Sequence, residues 1–136
     1  MMATGKRSSG SGDDIRVLFV EDDPTVAQMY RLKLELDGYQ VVMAKDGEEG
    51  LKLAARLKPD IIFLDIRLPK MGGLEVLEQL RQATETKHTP VVILSNYGER
   101  ELVERGLKLG ALEYLIKSQT TPANLSRGVE AWLREE

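Results

Sequence analysis

Residues 15–23 read IRVLFVEDD: an apolar run, broken only by Arg16, that leads straight into three carboxylates. A half-buried strand alternates apolar with polar residues. This run barely alternates and is rich in branched side chains, the pattern of a strand covered on both faces, as in a parallel sheet. The next pair, Asp23-Pro24, carries a helix-start signal, a capping side chain followed by Pro at the first helical position. The fragment therefore reads strand, acidic turn, helix.

The same alternation repeats outward. Short apolar runs recur at Ile61–Leu64 (IIFL), Val91–Leu94 (VVIL) and Tyr114–Ile116 (YLI), with a weaker one at Val41–Ala44 after Gly38-Tyr39. Between them lie segments with helical spacing. The first runs from Pro24 to near Gly38. Asp46 caps a second, with Leu51, Ala54 and Ala55 on one face, and Leu74, Leu77 and Leu80 follow Gly72-Gly73 in a third. Glu99–Leu109, closed by Gly110, forms a fourth. Thr121-Pro122 opens a fifth, in which Leu125, Val129, Trp132 and Leu133 share a face, with Trp132 as its buried anchor. Five strands alternating with five helices predict an α/β fold, a doubly wound parallel sheet with right-handed crossovers.

Composition narrows the chemistry. With 136 residues, one domain is expected. Residues 1–13, MMATGKRSSGSGD, lack bulky apolar side chains and are expected to be a disordered tail or linker, with the domain spanning 14–136. No segment approaches the roughly 18 consecutive apolar residues of a membrane helix, and no secretory h-region is present, so a cytoplasmic protein without a membrane partner is expected. The net charge of -3 argues against a nucleic-acid wrapper, so direct nucleic-acid binding is not expected. Cysteine is absent and His88 is the lone histidine, which excludes disulfides, thiolate catalysis and a two-histidine metal site. His88 lies in a polar stretch and reads as a loop residue. What remains is carboxylate, hydroxyl and amine chemistry.

In an open α/β sheet the ligand site lies beyond the carboxyl ends of the strands. Strand one delivers Glu21, Asp22 and Asp23 there, strand three Asp65, strand four Ser95 and strand five Lys117. Each alone has an ordinary explanation: a helix cap, a turn aspartate, a loop hydroxyl, a solvated charge. Together, at four strand ends, they define one rim. Two carboxylates about 5 Å apart repel by roughly 3 kcal/mol at an effective dielectric near 20. A rim of this kind therefore protonates or takes a cation. Oxygen-only ligands suit Mg2+ completed by a phosphate, and the set resembles a phosphoryl-transfer site with a carboxylate nucleophile.

The segments VLFVEDDP, IIFLDIRLPKMGGLEVL, VVILS and EYLIK, in this order and spacing, resemble the receiver domain of bacterial two-component response regulators. The resemblance covers residues 14–136. It implies a flavodoxin-like sheet in the order 2-1-3-4-5, as in single-domain chemotaxis regulators. It also implies that Asp65 accepts a phosphoryl group from a sensor histidine kinase or a histidine phosphotransfer protein. By the same resemblance Asp22 is a direct Mg2+ ligand, Glu21 acts through water, and the backbone carbonyl of Arg67 completes the metal shell. Ser95 is the hydroxyl that turns toward the phosphoryl group, Lys117 pairs with its oxygens, and Tyr114 is the switch aromatic. Gly98 is expected to lend the loop after strand four its freedom. The surface of helix four, strand five and helix five would then change for a downstream protein partner, with phosphorylation-linked homodimerisation as one form of output.

Three positions depart from the family pattern. Ser118 follows Lys117 where Pro is usual, often with a cis peptide, so the connection into helix five is expected to differ. Asn96 stands where Ala is frequent, which predicts a tighter space for the switch aromatic. Arg67 places a bulky cation over the site. With helix five ending near Glu136, the chain reads as a stand-alone receiver or a piece of a larger hybrid protein. A Mg2+-dependent phosphohydrolase would share the Asp nucleophile, but it typically has a second Asp two residues later, where Arg67 stands. An FMN-binding protein would share the fold, but EDDP would repel the cofactor's phosphate. A pseudo-receiver acting only as an interaction module is the third alternative. Beyond phosphorylation and autodephosphorylation at Asp65, no enzyme activity is expected.

Overall fold

The computed structural model describes residues 15–134; the tail expected over residues 1–13 lies outside the described residues. Five strands form one parallel sheet: β1 Arg16–Val20, β2 Gln40–Ala44, β3 Ile61–Leu64, β4 Val91–Ser95 and β5 Glu113–Ile116. Their order is β2-β1-β3-β4-β5, as expected. The helices are α1 Pro24–Leu36, α2 Gly47–Leu57, α3 Gly73–Gln82, α4 Arg100–Lys108 and α5 Pro122–Arg134.

The non-alternating runs have the predicted cause. All four residues of β3 and all five of β4 are buried. Successive side chains point to opposite faces, and both faces are covered. Val17, Phe19, Ile61 and Phe63 pack with Tyr30 and Leu34 of α1 and with Leu125, Val129 and Trp132 of α5. On the other face Leu18, Val20, Ile62 and Leu64 pack with Ala54 of α2 and with Val76, Leu77 and Leu80 of α3. The first face is also an aromatic one. Phe19 stacks on Tyr30 at 5.6 Å between ring centroids, and Trp132 meets Phe63 edge-on at 5.8 Å. Trp132 is thus the core anchor expected of it, and His88 is an exposed loop residue.

The helix starts follow the capping signals. Asp23 accepts hydrogen bonds from the amides of Thr25 and Val26, with Pro24 at the first helical position, and Asp46 accepts one from Glu49. Gly38 and Gly110, placed just after helices, adopt φ of 95° and 105°, a left-handed backbone that glycine takes without a Cβ clash. The edge strand β5 is only half-buried, which explains why its apolar run is the shortest.

Candidate functional site

The strand ends converge as expected. Glu21 and Asp65 are buried, at 4% and 5% exposure, whereas Asp22 is exposed. One carboxylate oxygen from each of Glu21, Asp22 and Asp65 lies within 4.8 Å of the others. Lys117 stands between two of them. Its Nζ donates a hydrogen bond of 3.0 Å to Asp65 Oδ2 and lies 2.6 Å from Glu21 Oε1. The second contact is a close ion pair outside hydrogen-bond geometry, so Glu21 Oε1 is buried with its charge faced by the ammonium but with no directed bond. Glu21 Oε2 accepts from the Asp23 amide, and Asp65 Oδ1 accepts from the Ile66 amide at 2.7 Å.

Burial is the largest influence on Glu21 and pushes its carboxyl up; Lys117 opposes this and Asp65 adds to it. Burial alone would lower the Lys117 ammonium, but its close pairing with the Glu21 and Asp65 carboxylates outweighs that and holds it above the ordinary lysine range. The rim thus has an excess of negative charge that its one lysine does not remove. Three carboxylates that each bring an oxygen within 4.8 Å of the others fit a hard divalent cation such as Mg2+.

The aspartate is fixed from behind. The Gly73 amide donates to the Ile66 carbonyl at 2.7 Å, and a Cβ on Gly73 would lie 2.0 Å from the Asp65 carbonyl oxygen. Gly73 therefore lets the start of α3 close directly onto the backbone of Asp65. Any larger residue at Gly73 would prevent it.

The opposite side of the rim is built around Tyr97, which the strand-end reasoning did not select. Ser95 is fully buried, and its Oγ accepts a hydrogen bond of 3.0 Å from the Tyr97 amide. The Tyr114 hydroxyl donates to the Tyr97 carbonyl. The Arg67 guanidinium lies 4.2 Å from the centroid of the Tyr97 ring, a cation–π contact. The bulky cation expected over the site is thus drawn to the loop after β4. The available signal was an aromatic residue in the otherwise polar stretch Asn96-Tyr97-Gly98. Burial raises the half-buried Tyr114 phenol, with Ser95 beside it acting the other way. Gly98 has a φ outside the left-handed region, and a Cβ there would lie 2.7 Å from Ile116 Cδ1. Asn96 is exposed. All peptides among the described residues are trans, and Lys117–Gln119 form one turn of 3-10 helix before α5.

A match to the response regulator receiver domain runs from residue 17 to residue 129. The chain belongs to this family. Over 119 residues, 88% of the chain, it is 39% identical to the DNA-binding dual master transcriptional regulator RpaA of Synechocystis and covers 49% of that protein. Over the same share it is 40% identical to the alkaline phosphatase synthesis transcriptional regulatory protein PhoP of Bacillus subtilis and covers 48% of it. The chain therefore spans about half the length of these curated relatives. Among solved structures, a CheY-like receiver domain protein from Methanospirillum hungatei aligns with a TM-score of 0.82 at 28% identity, over 89% of this chain and 94% of that one. The chain is a receiver domain of two-component systems, a phosphoacceptor class that typically uses Mg2+ at an acidic pocket of this kind. No helix among the described residues is long and apolar enough to cross a membrane.

Proposed function

We propose that Asp65 of this receiver accepts a phosphoryl group from the phosphohistidine of a sensor histidine kinase or histidine phosphotransfer protein. The observation that carries this reading is the Lys117 ammonium bridging Asp65 and Glu21 at 3.0 and 2.6 Å in a buried rim. In the transfer, a carboxylate oxygen of Asp65 forms the new bond to phosphorus as the phosphorus–nitrogen bond of the donor breaks, and the imidazole leaves with the bonding pair. Lys117 already faces Asp65 Oδ2, so it is placed to balance charge gathering on the phosphoryl oxygens. Glu21, Asp22 and Asp65, with the Arg67 backbone carbonyl, are the groups that would hold Mg2+. The metal, when bound, neutralises the carboxylates and the incoming phosphoryl charge.

Ser95 gives the site its reporter. Its Oγ accepts from the Tyr97 amide, which leaves the hydroxyl proton available to a new acceptor. Donating it to a phosphoryl oxygen on Asp65 draws the Tyr97 loop inward. That movement strains the bond from the Tyr114 hydroxyl to the Tyr97 carbonyl and frees the Tyr114 ring to shift. A change of charge at Asp65 thereby reaches α4, β5 and α5, the surface offered to a downstream protein or to a second phosphorylated copy. Water attack on the aspartyl phosphate ends the signal, and Asp65 turns over no other substrate.

Incubation with acetyl phosphate or phosphoramidate and Mg2+, followed by intact mass measurement, tests the proposal. The expected result is one added phosphoryl group, absent in Asp65→Asn and absent when the metal is chelated. Failure of every small donor and of a phosphorylated kinase to label the chain would overturn it. Continuous release of phosphate from added monoesters would point to a hydrolase instead.

A further inference from the structure

Lys117 reaches the rim from a turn that a side-chain hydrogen bond ties to α1. The turn Lys117–Gln119 ends at Thr120, and every polar group of Thr120 is engaged. Its amide donates to the Lys117 carbonyl at 3.2 Å, and its hydroxyl donates to the Ile116 carbonyl at 2.8 Å. Its own carbonyl accepts a 2.6 Å hydrogen bond from the hydroxyl of Tyr30. The first two bonds grip the backbone on both sides of the Lys117 Cα. The third fastens the assembly to α1, the helix that begins immediately after Glu21, Asp22 and Asp23.

Tyr30 is suited to hold such a bond. It is 1% exposed, and its ring stacks on Phe19 of β1 at 5.6 Å, so the hydroxyl projects from a fixed base. Phe19 lies two residues before Glu21, which directly follows β1. Rigid packing therefore runs from the acidic rim through Phe19 and Tyr30 to the turn that presents the lysine. The Tyr30 phenol is raised chiefly by burial, and it senses both Lys117, which lowers it, and Glu21, which raises it. With Ser118 after Lys117, this turn has no proline ring to set its backbone; the bonds of Thr120 hold it, and one of them comes from α1.

We infer that Tyr30 is a positioning residue for phosphoryl transfer: its hydroxyl, through the Thr120 carbonyl, fixes where Lys117 stands relative to Asp65. This rests on the roles given to Asp65 and Lys117 above. It adds a group that touches neither the phosphoryl donor nor the metal ligands.

Tyr30→Phe keeps the ring and removes only the hydroxyl. The full chain and this variant are compared for the rate of labelling by phosphoramidate at saturating Mg2+, for Mg2+ affinity by calorimetry, and for backbone amide exchange. The variant is expected to label about tenfold more slowly, the effect of losing one well-formed hydrogen bond at a site that needs it. Its Mg2+ affinity is expected not to fall, because Lys117 is not a metal ligand and its ammonium competes with the cation for Glu21 and Asp65. Faster amide exchange should be confined to the segment 117–121. Thr120→Val, which removes the bond to Ile116, should also slow labelling, and the double variant should be less impaired than the product of the two effects. Labelling of Tyr30→Phe at the wild-type rate would overturn the inference. So would a parallel loss of Mg2+ affinity, which would mean that the hydroxyl merely supports the fold around the rim. If the wild-type chain takes no phosphoryl group, it is the reading of Asp65 that fails. The exchange pattern then decides Tyr30 separately: faster exchange confined to 117–121 supports the tether, and unchanged exchange overturns it.

Discussion

On one side of the rim, α3 buries Gly73, Val76, Leu77 and Leu80, and its first residue presses on the backbone of Asp65. On the other, α4 buries Gly106 alone and exposes Leu107, and the loop before it shows Tyr97 at 38% exposure. The two helices cover the same face of the sheet, flank the same strand and differ in what they contribute. The side carrying the nucleophile is anchored by core packing and backbone contact. The side carrying Ser95 and Tyr114 is held by a few polar contacts centred on Tyr97. Low local packing is the physical requirement for a segment that moves at small cost, and close packing is the requirement for a reacting group that must not.

The contrast can be tested most severely at the pair that ties the fixed side together. Lys117→Met leaves Glu21 and Asp65 buried without their ammonium and should cost about 3–5 kcal/mol at neutral pH, measured by urea unfolding. The sign with pH is defined. Without the ammonium the Glu21 carboxyl, already raised by burial, rises further, so the loss is felt above the ordinary glutamate range and shrinks as acid protonates Glu21. In the wild-type protein the Lys117 ammonium is raised, so its contribution is complete below the usual lysine range and is lost as pH climbs through its folded value. The variant should therefore lack that alkaline loss. Equal urea midpoints for the two proteins at neutral pH would show that the lysine is not holding this side.

Next in size is a pair of identical substitutions. Gly73→Ala drives a Cβ to 2.0 Å from a backbone oxygen and should cost about 3 kcal/mol or more, with phosphorylation lost. Gly106→Ala meets the Ile93 Cδ1 at 2.6 Å, the far end of a flexible side chain, and gains helix propensity; its net effect should fall within about 1 kcal/mol of zero. Similar costs for the two would erase the distinction between the sides. Smallest of all is the Arg67–Tyr97 contact, between exposed groups. A double-mutant cycle with Arg67→Ala and Tyr97→Leu should return a coupling of about 0.5–1 kcal/mol. A coupling several times larger would mean that the loop is locked rather than lightly held.

How legible all this was depended on range. Continuous apolar runs at β1, β3 and β4 announced strands covered on both faces, and Asp23-Pro24 and Asp46 announced helix starts, because burial and capping act on neighbouring residues. The polar rim could be assembled from strand ends because a parallel sheet delivers them all to one edge. Other contacts left no local trace. Arg67 and Tyr97 lie 30 positions apart, and Tyr30 and Thr120 lie 90 apart, so their meeting depends on packing that no periodicity encodes. Tyr30 sits at an ordinary core position of a helix, and only the structure reveals what its hydroxyl reaches. At Gly98 the close approach of the Ile116 side chain likewise left no mark in the neighbouring sequence.

The uniform direction of the strands has an architectural consequence. All five run toward the rim, and each helix carries the chain back to the opposite edge of the sheet. Arg16, at the start of β1, and Arg134, at the end of α5, therefore both belong to the edge remote from Asp65. The rim that carries the acidic groups is thus clear of both ends of the described fold and open to approach from solution.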